Sequence, residues 1–207
     1  MKAAKGLFSD LLGVGGAPCL DFANTISGRG HSAEFDRLAC YDHMLGWASA
    51  FRLIPDFEIA RLRETADSAS GAAIKCFSSA LAFREAFYRV AIGMVEGSIP
   101  RTNATELSAR LFPIIAKSIL KPTASNELVL ALRDPGAQLE APLWFAAWSA
   151  MELLRNHHRG QLRQCENTDC TWLFLDKSRN RSRRWCSMDQ CGAIIKARQY
   201  RARNRLR

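Results

Sequence analysis

No uncharged apolar run in this chain of 207 residues approaches the length, roughly 20 residues, that a bilayer-spanning helix needs. Internal repeats, low-complexity tracts, phosphate-binding glycine loops and nucleophile motifs are missing as well. Histidine is scarce: His31, His43 and the adjacent His157 and His158 give no ligand or triad spacing. A secretory signal is also lacking. Met1-Lys2-Ala3-Ala4-Lys5 is basic, but Ser9, Asp10, Gly13, Gly15 and Gly16 break the stretch after it, and Pro18 before Cys19 does not suit a lipoprotein cleavage site. These absences give the expectation of a cytoplasmic protein that is not an enzyme and has no membrane partner.

What is present is ordinary for a globular protein, with 48% hydrophobic and 24% charged residues. The charge is unevenly placed. Residues 1–160 carry 17 Lys/Arg against 16 Asp/Glu, whereas residues 161–207 carry 12 against 4, so nearly all of the net +9 sits in the tail. The cysteines divide in the same way. Cys19, Cys40 and Cys76 stand alone among apolar residues and read as buried structural thiols, while the other four crowd near the C-terminus. Both patterns predict a division near Asn156–Gly160, into a domain of residues 1–160 and a module of residues 161–207.

Apolar residues three and four apart predict helices over 36–53, 72–97 and from Pro142 through Leu154, the last apolar on nearly every side. Pro55-Asp56 opens a helix to about Ala69. Another runs from Thr102 to Ile115, with Thr102, Asn103 or Thr105 as its cap. Leu128 to Leu132 reads as one strand of a hairpin, and Cys19 to Thr25 as a short apolar element ending in polar residues. The fold class expected is mostly α with a small β-hairpin. A first domain of this length buries an adequate core unaided, whereas the tail needs another source of stability.

That source is the cysteine quartet. Cys165-x4-Cys170 and Cys186-x4-Cys191 bring two pairs of thiols round on short turns, which is what one tetrahedral Zn²⁺ requires. Four thiolates leave no open coordination position, so the ion is structural, and its removal is expected to unfold residues 161–207 and spare the rest. Between the pairs, Trp172 to Leu175 and Arg183 to Trp185 read as two strands around a polar turn, and a helix follows from about Ser187 towards Arg205. Knuckle, hairpin and helix form a treble-clef-like arrangement.

The module remains strongly positive after the thiolates and zinc are counted. Lys177, Arg179, Arg181, Arg183 and Arg184 lie on its hairpin. On a helical wheel Arg198, Arg201 and Arg205 share one side of the last helix, Lys196, Arg203 and Arg207 another, and Ile195, Ala202 and Leu206 a third that can face the hairpin. Guanidinium forks on adjoining elements suit phosphate, which points to nucleic acid without specifying a base sequence.

The tail resembles the CGNR zinc finger, through Trp172-Leu173-Phe174-Leu175-Asp176, Ser178-Arg179-Asn180, Arg184-Trp185-Cys186-Ser187-Met188 and Cys191-Gly192. The part before it resembles the ABATE domain of bacterial stress-induced transcription regulators, through Leu20-Asp21-Phe22-Ala23-Asn24-Thr25 and Trp47. The resemblance implies a DNA-binding regulator with one structural zinc. One departure stands out: Ala193-Ile194 follows Cys191-Gly192 where the family signature has Asn-Arg.

Other readings stay open at this level. Trp172, Trp185 or Tyr200 could stack on RNA bases, and the module could instead bind protein. Asp21 and Asn24 could line a pocket for a small-molecule effector, or bind backbone at a turn. The first domain could also form a homodimer.

Overall fold

The computed structural model describes residues 6–156 and 161–205. Its helices are α1 (Pro18–Ala23), α2 (Tyr41–Ala50), α3 (Asp56–Ser68), α4 (Ser70–Glu96), α5 (Arg101–Ile115), α6 (Ala141–Arg155) and α7 (Ala193–Arg205). Three antiparallel strand pairs complete it: β1 (Ile26–Ser27) with β2 (Phe35–Asp36), β3 (Ile119–Pro122) with β4 (Leu128–Ala131), and β5 (Leu162–Gln164) with β6 (Leu173–Leu175). The expected class, mostly helical with small hairpins, is the one observed.

The helices follow from their sequences with a few shifts. α6 has Pro142 in its first turn and buries Ala141, Leu143, Trp144, Ala146, Ala147, Ala150 and Leu153. Its alanines let α1 pack closely, and Ser149 Oγ accepts the Cys19 N–H at 3.1 Å, satisfying a donor that a helix start leaves open. α4 stops at Gly97, whose φ of +77° is open to glycine at no steric cost. α5 starts at Arg101 after Pro100, so none of the threonines or asparagine proposed as its cap serves. The helix expected from residue 36 begins only at Tyr41, because Phe35–Asp36 pairs with Ile26–Ser27 instead. Asp36 is drawn there by Arg84 of α4, a 3% exposed guanidinium that it binds with both carboxylate oxygens at 2.8 and 2.7 Å. Cys40 is exposed and so is no structural core thiol; Cys19 and Cys76 are buried as expected.

The main difference concerns the C-terminal hairpin. Leu173–Leu175 pairs with Leu162–Gln164, ahead of the first cysteine, and not with Arg183–Trp185, which stays outside any ladder. Burial explains the choice. Leu173, Phe174 and Leu175 are all buried, so β6 must lie against the helical part, and it does so next to α1. The side-chain amide of Asn24 closes the free edge of β6: its Oδ1 accepts the Leu173 N–H and its Nδ2 donates to the Leu173 carbonyl, each at 2.8 Å. The Leu175 N–H donates to the Gly15 carbonyl at 2.9 Å, the Gly28 N–H to the Cys170 carbonyl at 2.9 Å, and the Tyr88 hydroxyl to the Thr171 carbonyl at 3.1 Å. One apolar core runs through both parts of the chain. The expected boundary near Asn156–Gly160 falls at residues 157–160, outside the described residues, together with His157 and His158.

Asp21 stands behind this joint. It is 3% exposed and accepts the Gly15 N–H at 2.8 Å, with so little room that a Cβ on Gly15 would lie 2.7 Å from the carboxylate. Burial pushes its carboxyl up to about 7, against the opposing Gly15 hydrogen bond. A carboxyl raised in the folded state binds its proton more tightly there than in the unfolded chain. Its stabilising contribution is therefore full below pH 3.8 and is lost as pH rises through about 7. An asparagine keeps the acceptor and has no charge to desolvate. Asp21→Asn should thus be more stable than the unmodified protein at pH 8, by up to about 4 kcal/mol, and the gap should narrow steadily as pH falls below 7 and close only near pH 3.8. Thermal melts of both proteins across that range check this; parallel pH profiles would refute it.

Candidate metal centre and its basic surroundings

The knuckle between β5 and β6 carries Cys165 and Cys170. A π-helical turn, Met188–Gly192, leads into α7 and carries Cys191, with Cys186 just ahead of it. The four sulfurs lie within 4.8 Å of one another, and all four residues are buried. Cys186 Sγ is 3.6 Å from Cys170 Sγ and 3.5 Å from Cys191 Sγ, close to the edge of about 3.8 Å for a tetrahedron of thiolates around zinc. The Asn167 amide points its N–H at Cys191 Sγ (3.4 Å), and the Cys186 N–H points at Cys165 Sγ (3.4 Å). Donors aimed at sulfur suit thiolates. Without a cation these sulfurs compete for protons: hydrogen bonds to Cys165, Cys170 and Cys191 push the Cys186 thiol far above its usual range, while those from the other three thiols and Asn167 hold Cys191 far below. A divalent ion removes the conflict by letting all four ionise. The four cysteines fit one structural Zn²⁺, and with every ligand position filled by protein they leave none for substrate.

Local chemistry braces this centre. Asp176, buried, accepts from the Ser178 N–H (2.9 Å), the Ser178 hydroxyl (2.5 Å) and the Arg183 N–H (2.9 Å), with Arg163 3.4 Å away. These bonds, the Ser178 hydroxyl first, hold its carboxyl below the usual range and fix the loop of residues 177–183. Sequence reasoning assigned Asp176 no role, although an aspartate two residues before a serine is a turn signal.

The basic candidates separate into three groups. Arg183 points inward. Its guanidinium donates to the Trp185 carbonyl at 2.9 Å and to the Cys186 carbonyl, and lies 4.5 Å over the Phe174 ring. Expected among phosphate contacts, it is here engaged with the metal loop. Arg184 and Arg198 are exposed but ion-paired, with Glu166 at 2.6 Å and Asp169 at 2.7 Å. Lys177, Arg179, Arg181, Lys196 and Arg201 are exposed without a carboxylate partner among the described residues. The side chain of Arg205, like Leu206 and Arg207, lies outside the described residues. Among the described residues of α7 only Ile195 is half-buried, and Ala202, expected to face the hairpin, is exposed. Trp172, 3% exposed, is no stacking platform, whereas Tyr200 is 68% exposed. Asp21 and Asn24, considered for an effector pocket, are buried and bonded to the backbone of Gly15 and Leu173, the alternative role of such residues.

The family model ABATE, described as "Putative stress-induced transcription regulator", matches residues 16–157. The chain belongs to the ABATE family. The model of the CGNR zinc finger matches residues 161–204, covering the whole metal centre. No curated protein matches the chain. In this ABATE protein Ala193 and Ile194 take up the positions after Cys191-Gly192, and both are exposed, Ile194 by 45%. The metal ligands do not depend on them.

The shared core sets what metal removal should do. Chelation of the full chain with EDTA should abolish the helical signal of α7 and also lower the melting midpoint of the helical part, because β6 is held by both. A loss of about 3 kcal/mol corresponds to roughly 10 °C. Circular dichroism and calorimetry test this, and Cys186→Ser should behave alike. A lost α7 signal with an unmoved main transition would show instead that residues 1–160 fold independently.

Proposed function

We propose that this protein is a cytoplasmic, DNA-binding transcription regulator, whose zinc module presents a basic helix to the phosphates of the duplex. The carrying observation is α7. Over 13 residues it has Lys196, Arg198, Arg201, Arg203 and Arg205 and no carboxylate, and among its described residues all but Ile195 are exposed. Its exposed apolar side chains, Ile194 and Tyr200, stand six positions apart and form no broad apolar face for a membrane or a protein partner, so charge dominates its surface chemistry. Lys177, Arg179 and Arg181 extend the positive surface onto the metal loop. The knuckle and the ligand-bearing helix are two of the three parts of a treble-clef arrangement, in which the ion fixes the angle at which the helix leaves the body. The regulator description of the ABATE family supports the same reading. The buried Trp172 weighs against stacked single-stranded RNA.

Affinity for duplex DNA should fall steeply with salt, with log K declining by about 0.9 per neutralised phosphate for each unit of log salt concentration. Arg201→Ala should weaken binding and flatten that slope by about one. Ile194→Arg should do the opposite: Ile194 stands four residues before Arg198 and seven before Arg201, so an arginine there extends the row by one turn at an exposed position. Fluorescence anisotropy at several salt concentrations reads both. No binding at low salt, or a flat response, would refute the proposal, and tighter binding of single-stranded RNA would move the function to RNA.

A further inference from the structure

A cleft of about 850 Å³ opens between α3, α4, α5 and the segment 137–140, and no residue of the zinc module lines it. Its size lies within the roughly 300–1,000 Å³ of small-molecule sites. Leu139, Pro113 and Ile114 give its lining an apolar part, with the fully buried Leu143 beside them. Ala72 and Ala109 stand on the walls, both exposed, so no longer side chain fills the space from either position.

The charge around it is unbalanced. Lys75, Arg110 and Lys117 line the cleft and Glu140 is the one carboxylate that does. Glu140 is occupied by Lys117 at 2.7 Å. Arg110 shares its partner, since Glu106 also binds Arg89 at 2.6 Å. Lys75 has no partner among the described residues. Cys76 adds no negative charge, because its thiol donates to the Leu139 carbonyl at 3.3 Å and burial pushes it up to about 12.

We propose that this cleft binds a small organic anion, a carboxylate or sulfonate whose apolar body lies on Leu139, Pro113 and Ile114 while its charge meets Lys75. The apolar lining supplies affinity through buried area and the cation supplies orientation, the usual division of labour in such sites. An uncharged analogue loses the second contribution and a bare inorganic anion the first. The inference does not depend on nucleic-acid binding.

The test uses the zinc-loaded full chain and naphthoate as probe, with naphthalenemethanol and inorganic sulfate as controls, read by titration calorimetry. Naphthoate should bind with one site per chain and more tightly than either control. Lys75→Glu, at an exposed position, should weaken it roughly tenfold. Ala109→Trp should abolish binding by filling the cleft, with the melting midpoint confirming that both variants stay folded. Absence of naphthoate binding to the unmodified chain, equal affinity for naphthalenemethanol, or a Lys75→Glu variant that binds as well as the unmodified chain would each overturn the proposal.

Discussion

Four buried sulfurs crowded around one point form the constraint on which the C-terminal quarter of this protein rests. Removed from water and from any cation, four thiols so close cannot all ionise, and four neutral thiols would waste the donors that Asn167 and the Cys186 amide aim at them. With Zn²⁺ the same arrangement becomes a rigid vertex joining the knuckle to the start of α7. That helix needs such an anchor. Its sole half-buried described residue is Ile195, and a helix so short and so exposed is marginal in water by itself. Metal ligation at its first turn therefore takes the place of a packed face, which frees the whole circumference for charged side chains.

The vertex is in turn docked on the helical part through β6. This strand belongs to two structures at once. One edge completes the hairpin that carries the knuckle, and the other is closed by Asn24. Leu173 and Phe174, fully buried, enter the same core as α1 and α6. Family boundaries at 157 and 161 and a continuous core are compatible, because a boundary in sequence marks where a module was joined and not where its contacts end. Asp21 shows how tightly the joint is drawn. A carboxylate is kept at a position where its charge is costly, since it secures the Gly15 turn whose carbonyl receives the Leu175 N–H.

Much of this was legible in the sequence for identifiable reasons. The cysteine spacing gave the metal centre, because ligand geometry is local and short turns can satisfy it. Helices α3 to α6 followed from apolar periodicity and proline placement to within a few residues. The strand partner of Leu173–Leu175 was not legible. Three consecutive buried apolar residues say that a strand is covered on both faces, not which segment lies beside it, and Leu162–Gln164 is too short and polar to announce itself. The entry to α2 was missed for a related reason: the pairing of Phe35–Asp36 is dictated by a buried arginine 48 positions away. Asp21 and Asn24 suit backbone bracing better than ligand contact by residue type, but only their partners decide between the two.

The same distinction between residue type and residue commitment governs the basic surface. Counting arginines in the tail overstates what faces solvent unpaired, since Arg183 is spent on the carbonyls of the metal loop, and Arg184 and Arg198 each have a carboxylate nearby. The pairs at Glu166 and Asp169 are exposed, so they are worth little and a phosphate can displace the carboxylate at small cost. Arg183 cannot be released in this way, because it closes the loop on which Cys186 sits. Among the described residues the free basic surface is then Lys177, Arg179 and Arg181 on the metal loop and Lys196, Arg201 and Arg203 on α7, two segments that the metal centre joins. Metal and charge are for that reason linked: the ion adds little to the positive field itself, but its four ligands, on the knuckle and around the start of α7, tie the two basic segments to one point.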